Sequence, residues 1–260
     1  MRRRIPIWVM VATVAVYGFL HAPVAALMVF SFNDSRFSAS WTGFTLDWYV
    51  RLLERNDILS GLGRSLLVAT IATVVATILG TMLALAIRRH QFRGRRTVES
   101  LLYLPLVTPE IILGISLLGL FVAIGFPLGV TSVIVAHVTF CISFVTVVVV
   151  ARLRGMDRHL EDAAMMLGAD EWDAFWKVTV PMLAPGIVAG ALLAFTMSFD
   201  DYVITSFVSG PGAATLPVVV YGMARRNIEP SINAISTIIV VVTSLLLLLA
   251  DRLRRPAAAG

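Results

Sequence analysis

An all-α, polytopic membrane protein with six spanning helices is the fold class this sequence predicts, and three observations predict it. The chain of 260 residues is 58% hydrophobic with a mean hydropathy of +0.87, more apolar surface than a single soluble core takes in. The apolar residues gather in six runs of about the 20 residues needed to cross roughly 30 Å of hydrocarbon: 5–32, 66–87, 101–126, 131–151, 182–208 and 232–250. Lys and Arg are distributed unevenly between the runs. A transmembrane barrel would instead show alternating segments of about ten residues.

The charge asymmetry sets the orientation. Arg2, Arg3 and Arg4, then Arg88, Arg89, Arg93, Arg95 and Arg96, then Arg152, Arg154, Arg158 and Lys177, and finally Arg252, Arg254 and Arg255 all fall on one side of a six-span arrangement. The other side receives Arg36, Arg51, Arg55, Arg64, Arg225 and Arg226. Cytoplasmic loops carry the excess of Lys and Arg, so both termini are expected in the cytoplasm. The pI near 10.0 then reports topology, not nucleic-acid binding. The first run is longer than the 7–15 apolar residues of a signal peptide and is expected to stay as an anchor. Within it His21 and Pro23 suggest a loosened helix, not a ligand site. Cys141, the sole cysteine, reads as a buried, inert thiol.

The sequence reads as one membrane domain, 1–260, with no linker. The outer segment 31–63 carries Trp41, Phe44, Trp48 and Tyr49. Such side chains belong at the membrane–water boundary, as loop plus short helix. Phe126-Pro127-Leu128-Gly129 is a tight turn. The outer segment 209–231 opens on Gly and Pro, which end the preceding helix, and its remainder can form a short surface helix.

Between the fourth and fifth runs lies a charged, helix-forming stretch, 152–181, on the cytosolic side. Asp157 is placed to cap a helix over 156–167, with acids in its first turn. Leu160, Ala163, Ala164 and Leu167 recur on one helical face, and Gly168 permits a chain reversal. A second piece, 171–178, carries Trp172, Phe175 and Trp176. One reading is an amphipathic helix lying on lipid, although such helices are usually basic. The other is a docking element. Asp162-Ala163-Ala164, then three residues, Gly168, nine residues, and Val178-Thr179-Val180-Pro181 resemble the EAA loop of bacterial ABC-importer permeases, with Asp for the first Glu and Glu161 beside it. That resemblance implies docking to a separate ATPase through Asp157, Leu160, Glu161, Asp162, Ala163, Ala164, Leu167, Gly168 and Pro181.

The chain lacks the P-loop ending Gly-Lys-Ser/Thr, whose Lys must reach the β- and γ-phosphates; its only lysine, Lys177, lies between Trp176 and Val178. No metal-ligating or nucleophile motif is present, so the chain is expected to be no enzyme and to bind no cofactor, ATP and Mg belonging to the partner ATPase. Three acids lie inside apolar runs: Glu110, Asp200 and Asp201. A charge in hydrocarbon costs at least about 2.5–3.5 kcal/mol, so such residues face a pathway or a partner. No Lys or Arg lies deep in a span to pair with them, Arg64 being nearest, which suits a cationic solute. Asp200 stands roughly 22 Å along the fifth span from Pro185, at about 1.5 Å per residue. Glu110 follows Pro105 and Pro109, where a broken helix would free carbonyls for a cation. With Tyr202, Thr196 and Thr205 these acids form the candidate pathway. The alternative is that the Asp residues cap a helix break or bond to Thr196, Ser198 or Thr205.

Ser198-Phe199-Asp200-Asp201-Tyr202-Val203-Ile204, Phe207-Val208-Ser209-Gly210-Pro211-Gly212, Thr215-Leu216-Pro217, Glu229-Pro230-Ser231-Ile232-Asn233-Ala234 and Tyr103-Leu104-Pro105-Leu106-Val107-Thr108-Pro109-Glu110-Ile111-Ile112 are similar to runs in spermidine/putrescine ABC permeases of the PotC/PotI type. The resemblance covers essentially the whole chain. It implies a type I importer permease fold in the bacterial inner membrane, a second permease subunit (a homologue), an ATPase dimer and an extracytoplasmic solute-binding protein. Importers of aminoalkylphosphonates, opines and ferric iron share this background. An ion-coupled secondary transporter and a membrane scaffold are the readings from other classes.

Overall fold

The computed structural model describes residues 6–35, 40–157, 159–226 and 230–254. In chain order the helices are α1 (Ile7–Phe30), α2 (Asp47–Glu54), α3 (Asn56–Arg89), α4 (Arg95–Val107), α5 (Glu110–Ala123), α6 (Val130–Arg154), α7 (His159–Met166) and α8 (Glu171–Ala174). A π-helical turn, Phe175–Thr179, then leads into α9 (Val180–Asp200), α10 (Val203–Val208), α11 (Leu216–Arg226) and α12 (Pro230–Arg254). Among the described residues the only β pairing is an isolated bridge between Asn33 and Phe44. The all-α expectation holds.

Among the described residues, four single helices are long and apolar enough to span a bilayer: α1, α3, α6 and the continuous 171–200 helix containing α9. The third expected span is a bent pair instead, α4 and α5 meeting at 114°. The run 101–126 is apolar throughout, but Pro109 disfavours a helical conformation at Thr108, which is extended at ψ 132°. The fifth expected span also breaks, at Asp201–Tyr202, before α10. The sixth falls within α12, whose side chains are described in full only as far as Val242.

The chain divides into two compact units, residues 1–59 with 220–260 and residues 60–219. In the first, α12 packs on α1 and α2. α1 is apolar on every side and buries none of its residues, as befits a helix in contact with lipid or another subunit. His21 Nδ1 lies 2.9 Å from the Tyr17 carbonyl and its ring stacks on Tyr17, a local arrangement within α1. The outer segment folds as loop plus short helix: α2 buries Trp48 and Leu52, and Trp48 Nε1 donates to the Asn33 carbonyl at 2.8 Å.

The second unit is built around α6, which buries ten residues, including Val133, His137, Cys141, Val145 and Val149. Helices in lipid gain little from apolar burial and associate through close packing of small residues. α3 provides this with Ala72, Ala76, Gly80 and Ala84, all buried and four residues apart. A Cβ on Gly80 would stand 2.9 Å from Val145. α9 contributes Gly186 and Gly190, where a Cβ would meet Arg152 at 2.7 Å and Val145 at 3.3 Å. α5 meets α10 through Gly114, whose Cβ would lie 2.6 Å from Phe207. Arg64 does not reach the intramembrane acids; it donates to the Ala214 carbonyl at 2.8 Å, next to a Ser65–Leu216 bond that starts α11.

Gly80→Leu places a branched side chain where Val145 already sits. Overpacking of this kind costs about 1–3 kcal/mol, so the purified protein is expected to lose helicity at a lower temperature in detergent. The same change at Gly18 of α1, where a Cβ meets nothing within 4 Å, should leave the melting curve in place.

Candidate functional site

The break between α9 and α10 separates two adjacent carboxylates into different environments. Asp201 is extended at φ −66°, ψ 122° and ends α9. Its side chain turns inward, 9% exposed as a residue. There it accepts from the backbone N–H of Thr205 at 2.8 Å, the Thr205 hydroxyl at 2.7 Å and the Ile204 N–H at 3.3 Å. These are the orphan donors of a helix start. His137 of α6, fully buried, lies beside it: Nε2 is 3.3 Å from Asp201 Oδ2 and 3.0 Å from Thr205 Oγ1, and Nδ1 is 2.7 Å from Ser198 Oγ. Because the Thr205 hydroxyl gives its proton to Asp201, its oxygen can only accept from the imidazole. That places a proton on Nε2 by donor inventory.

Asp200 faces the other way and is exposed within this chain. It shares a cavity of about 240 Å³ with Glu110, Thr196, Tyr202, Pro105, Phe140 and Phe144, with Asp201 at its wall. Glu110 enters from the other break as the first residue of α5, at the end where the helix dipole favours negative charge. Five of the six expected pathway residues, Glu110, Asp200, Asp201, Tyr202 and Thr196, thus meet at one cavity formed by two broken helices. Thr205 does not; it is fully buried in the Asp201 network. The Thr196 hydroxyl is returned to the Leu192 carbonyl at 2.9 Å, so toward the cavity it presents an acceptor.

The expected docking loop is a helical hairpin, with the helix at His159–Met166 where 156–167 was expected; Arg158 lies outside the described residues. Asp157 accepts from the His159 N–H at 3.0 Å, as its capping role required. Gly168 adopts φ +95°. Around it the Ala169 N–H reaches the Ala164 carbonyl and the Gly168 N–H that of Met165, a Schellman reversal. Leu160, Ala163 and Leu167 are exposed, Leu167 to 90%, as are Asp162 and Pro181, while Ala164 is half-buried. The second piece is no separate helix: capped by Asp170 accepting from Asp173 N at 2.6 Å, it continues through the π turn into α9.

Glu161 turns away from this exposed face. It pairs with Arg89 at the end of α3 and accepts from the Thr179 hydroxyl of the π turn at 2.5 Å. The Arg89 guanidinium also donates to Thr179 at 3.1 Å and lies over the Phe175 ring. The residue pattern alone assigns no separate role to Arg89, Thr179 or His137. His137 carried a signal, an imidazole inside an apolar span, which in membranes marks a polar pairing. Arg89 looked like one more cytosolic basic residue.

Asp201→Ala strips Thr205 and Ile204 of their shared acceptor in a buried site and is expected to destabilise the fold by about 3 kcal/mol. Asp200→Asn should leave stability unchanged. Thermal unfolding of the two variants in one detergent checks both; equal midpoints would refute the division of roles.

Comparison with known proteins places this geometry. Residues 76–256 match the family described as binding-protein-dependent transport system inner membrane component. The spermidine/putrescine transport system permease protein PotC of Escherichia coli is 38% identical over 95% of this chain and 93% of its own length. The putrescine transport system permease protein PotI of the same organism is 45% identical over 89% and 85%. A solved bacterial ABC transporter involved in import of the acidic polysaccharide alginate superposes with a TM-score of 0.74 at 16% identity, covering 98% of this chain and 96% of that one. The MetNI methionine ABC transporter gives 0.61 at 20%, over 82% and 99%. This chain belongs to the family of binding-protein-dependent transport system inner membrane components: it is a multi-pass ABC-importer permease subunit, and not itself an enzyme.

Proposed function

We propose that this permease carries a polyamine, putrescine or spermidine, inward through the cavity between its two helix breaks. The observation that carries the reading is the placement of the Asp200 and Glu110 carboxylates on one cavity wall with Phe140, Phe144 and Tyr202. Carboxylates spaced along a wall match the separated ammonium groups of a polyamine, and aromatic faces attract the same cations. The names of the 38% and 45% identical relatives support the same solute class.

In this reading the chain works with a second permease subunit, an ATPase dimer that binds ATP and Mg, and an extracytoplasmic binding protein that delivers the solute. Both termini and the hairpin 155–170 face the cytoplasm of a bacterial cell, in keeping with the Arg-rich ends of α3, α4 and α6. The exposed face of α7, with Leu160, Ala163, Leu167 and Gly168, docks on the ATPase. Glu161 transmits its movement, gripping α3 through Arg89 and the start of α9 through Thr179. Closure of the ATPase on ATP then rocks these helices together and opens the cavity outward.

Uptake of labelled putrescine and spermidine by cells expressing the whole importer tests the solute. Asp200→Asn combined with Glu110→Gln is expected to reduce uptake by tenfold or more, about 1.4 kcal/mol or greater, with the complex still assembled. Uptake unchanged by the pair would remove the acids from the path. An importer that takes up neither amine would have another solute. A separate assay addresses coupling. Gly168→Arg, which forces a side chain onto a residue at φ +95° in the docking face, should abolish the rise in ATP turnover caused by loaded binding protein. Normal stimulation in that variant would place docking elsewhere.

A further inference from the structure

A second cavity, of about 250 Å³, opens where the Arg-rich ends of α3, α4 and α6 meet. Arg88, Arg95 and Arg154 line it, with Glu99 as the one carboxylate among the described lining residues. Glu99 engages Arg95 through Nε at 2.9 Å, four residues away on the same helix. Three guanidiniums against one carboxylate give the described lining a surplus of positive charge. Deeper in, the wall turns apolar with Leu102, Val147 and Val150. The apolar surface continues outside along α4, where Tyr103 and Leu104 are 51% and 54% exposed.

A cationic solute finds nothing to bind here, and a soluble anion leaves the apolar wall unused. We infer that this cavity binds the headgroup phosphate of an anionic phospholipid, its acyl chains lying along the exposed face of α4. The planar fork of Arg matches phosphate oxygens in pairs. The cavity also lies at one end of membrane-spanning helices, the depth at which headgroups sit, and basic pockets between helices at that level capture anionic lipid. The inference rests on the membrane placement of the chain and is independent of which solute it carries.

The test uses the full chain purified with its co-expressed partner subunits. Dioleoylphosphatidylglycerol and dioleoylphosphatidylcholine are titrated in turn, and bound lipid is read by native mass spectrometry. Wild type is expected to retain one phosphatidylglycerol and to discriminate against phosphatidylcholine. Arg95→Gln with Arg154→Gln should weaken that retention roughly tenfold or more. Arg93→Gln with Arg96→Gln, at the same end but off the cavity wall, is the control and should retain the lipid. Equal loss in both double variants would reduce the effect to diffuse surface charge and overturn the site. So would retention in both. Displacement of the lipid by millimolar inorganic phosphate would overturn the lipid assignment in favour of a soluble anion. If the cavity double variant fails to assemble, Arg154→Gln alone, at an exposed position, is read against Arg96→Gln by the same criterion.

Discussion

A backbone N–H or C=O left without a partner in hydrocarbon costs several kcal/mol, and the two helix breaks of this permease are shaped by that constraint. They meet it differently. At Thr108–Pro109 the chain breaks where proline carries no N–H to strand. The Thr108 N–H still reaches the Leu104 carbonyl, and the Pro109 carbonyl accepts from Ile112 and Leu113 at 2.9 and 3.2 Å. At Asp201–Tyr202 there is no proline, so side chains must serve the donors that open α10. Asp201 takes two backbone N–H groups and a hydroxyl, and His137 ties that carboxylate to α6. The cavity exists because both breaks are satisfied from within the protein.

The same economy explains why two neighbouring carboxylates behave differently. On an uninterrupted helix residues 200 and 201 would stand about 100° apart, each partly facing the same space. The extended backbone at Asp201 removes that symmetry. Asp201 becomes a structural acceptor surrounded by donors. Asp200 turns toward the cavity, and Glu110, arriving from the other break, faces the same volume. The site therefore presents two carboxylates to a solute while holding a third in the scaffold.

Much of this was legible in the residues, and the illegible part has a physical cause. The apolar runs located the spans because hydrocarbon demands length and hydropathy together. Pro105 and Pro109 foretold the first break. Gly168 and Asp157 foretold the hairpin, since a reversal at positive φ and a capping carboxylate are local requirements. The second break was legible only as one alternative for the Asp pair, because the fifth run contains nothing that forbids a helix at Asp201. It is buttressed by His137, which reaches Asp201 from another span and bonds to Ser198, 61 residues along the chain from it. Of the Asp pair, Asp201 takes the capping contacts while Asp200 lines the cavity. Arg89 escaped notice for a related reason: positive charge at a cytosolic helix end is ordinary, and only its meeting with Glu161 and Thr179 distinguishes it.

The Glu161 contacts give the proposed coupling a mechanical form. One carboxylate on α7 holds both the end of α3 and the π turn that begins α9, so α7 cannot shift without acting on both helices. α9 then runs 21 residues to Asp200, about 31 Å at 1.5 Å per residue, bound to α6 through Gly186 and Gly190 at distances that leave no slack for bending. In the proposed coupling, a push delivered at Thr179 would travel as a movement of the whole helix and emerge at the Asp201 break. Packed helices shift between discrete arrangements and do not deform continuously. The π turn at the input end and the capped break at the output end are, in that reading, the two places where α9 can change its neighbours while its middle stays packed on α6.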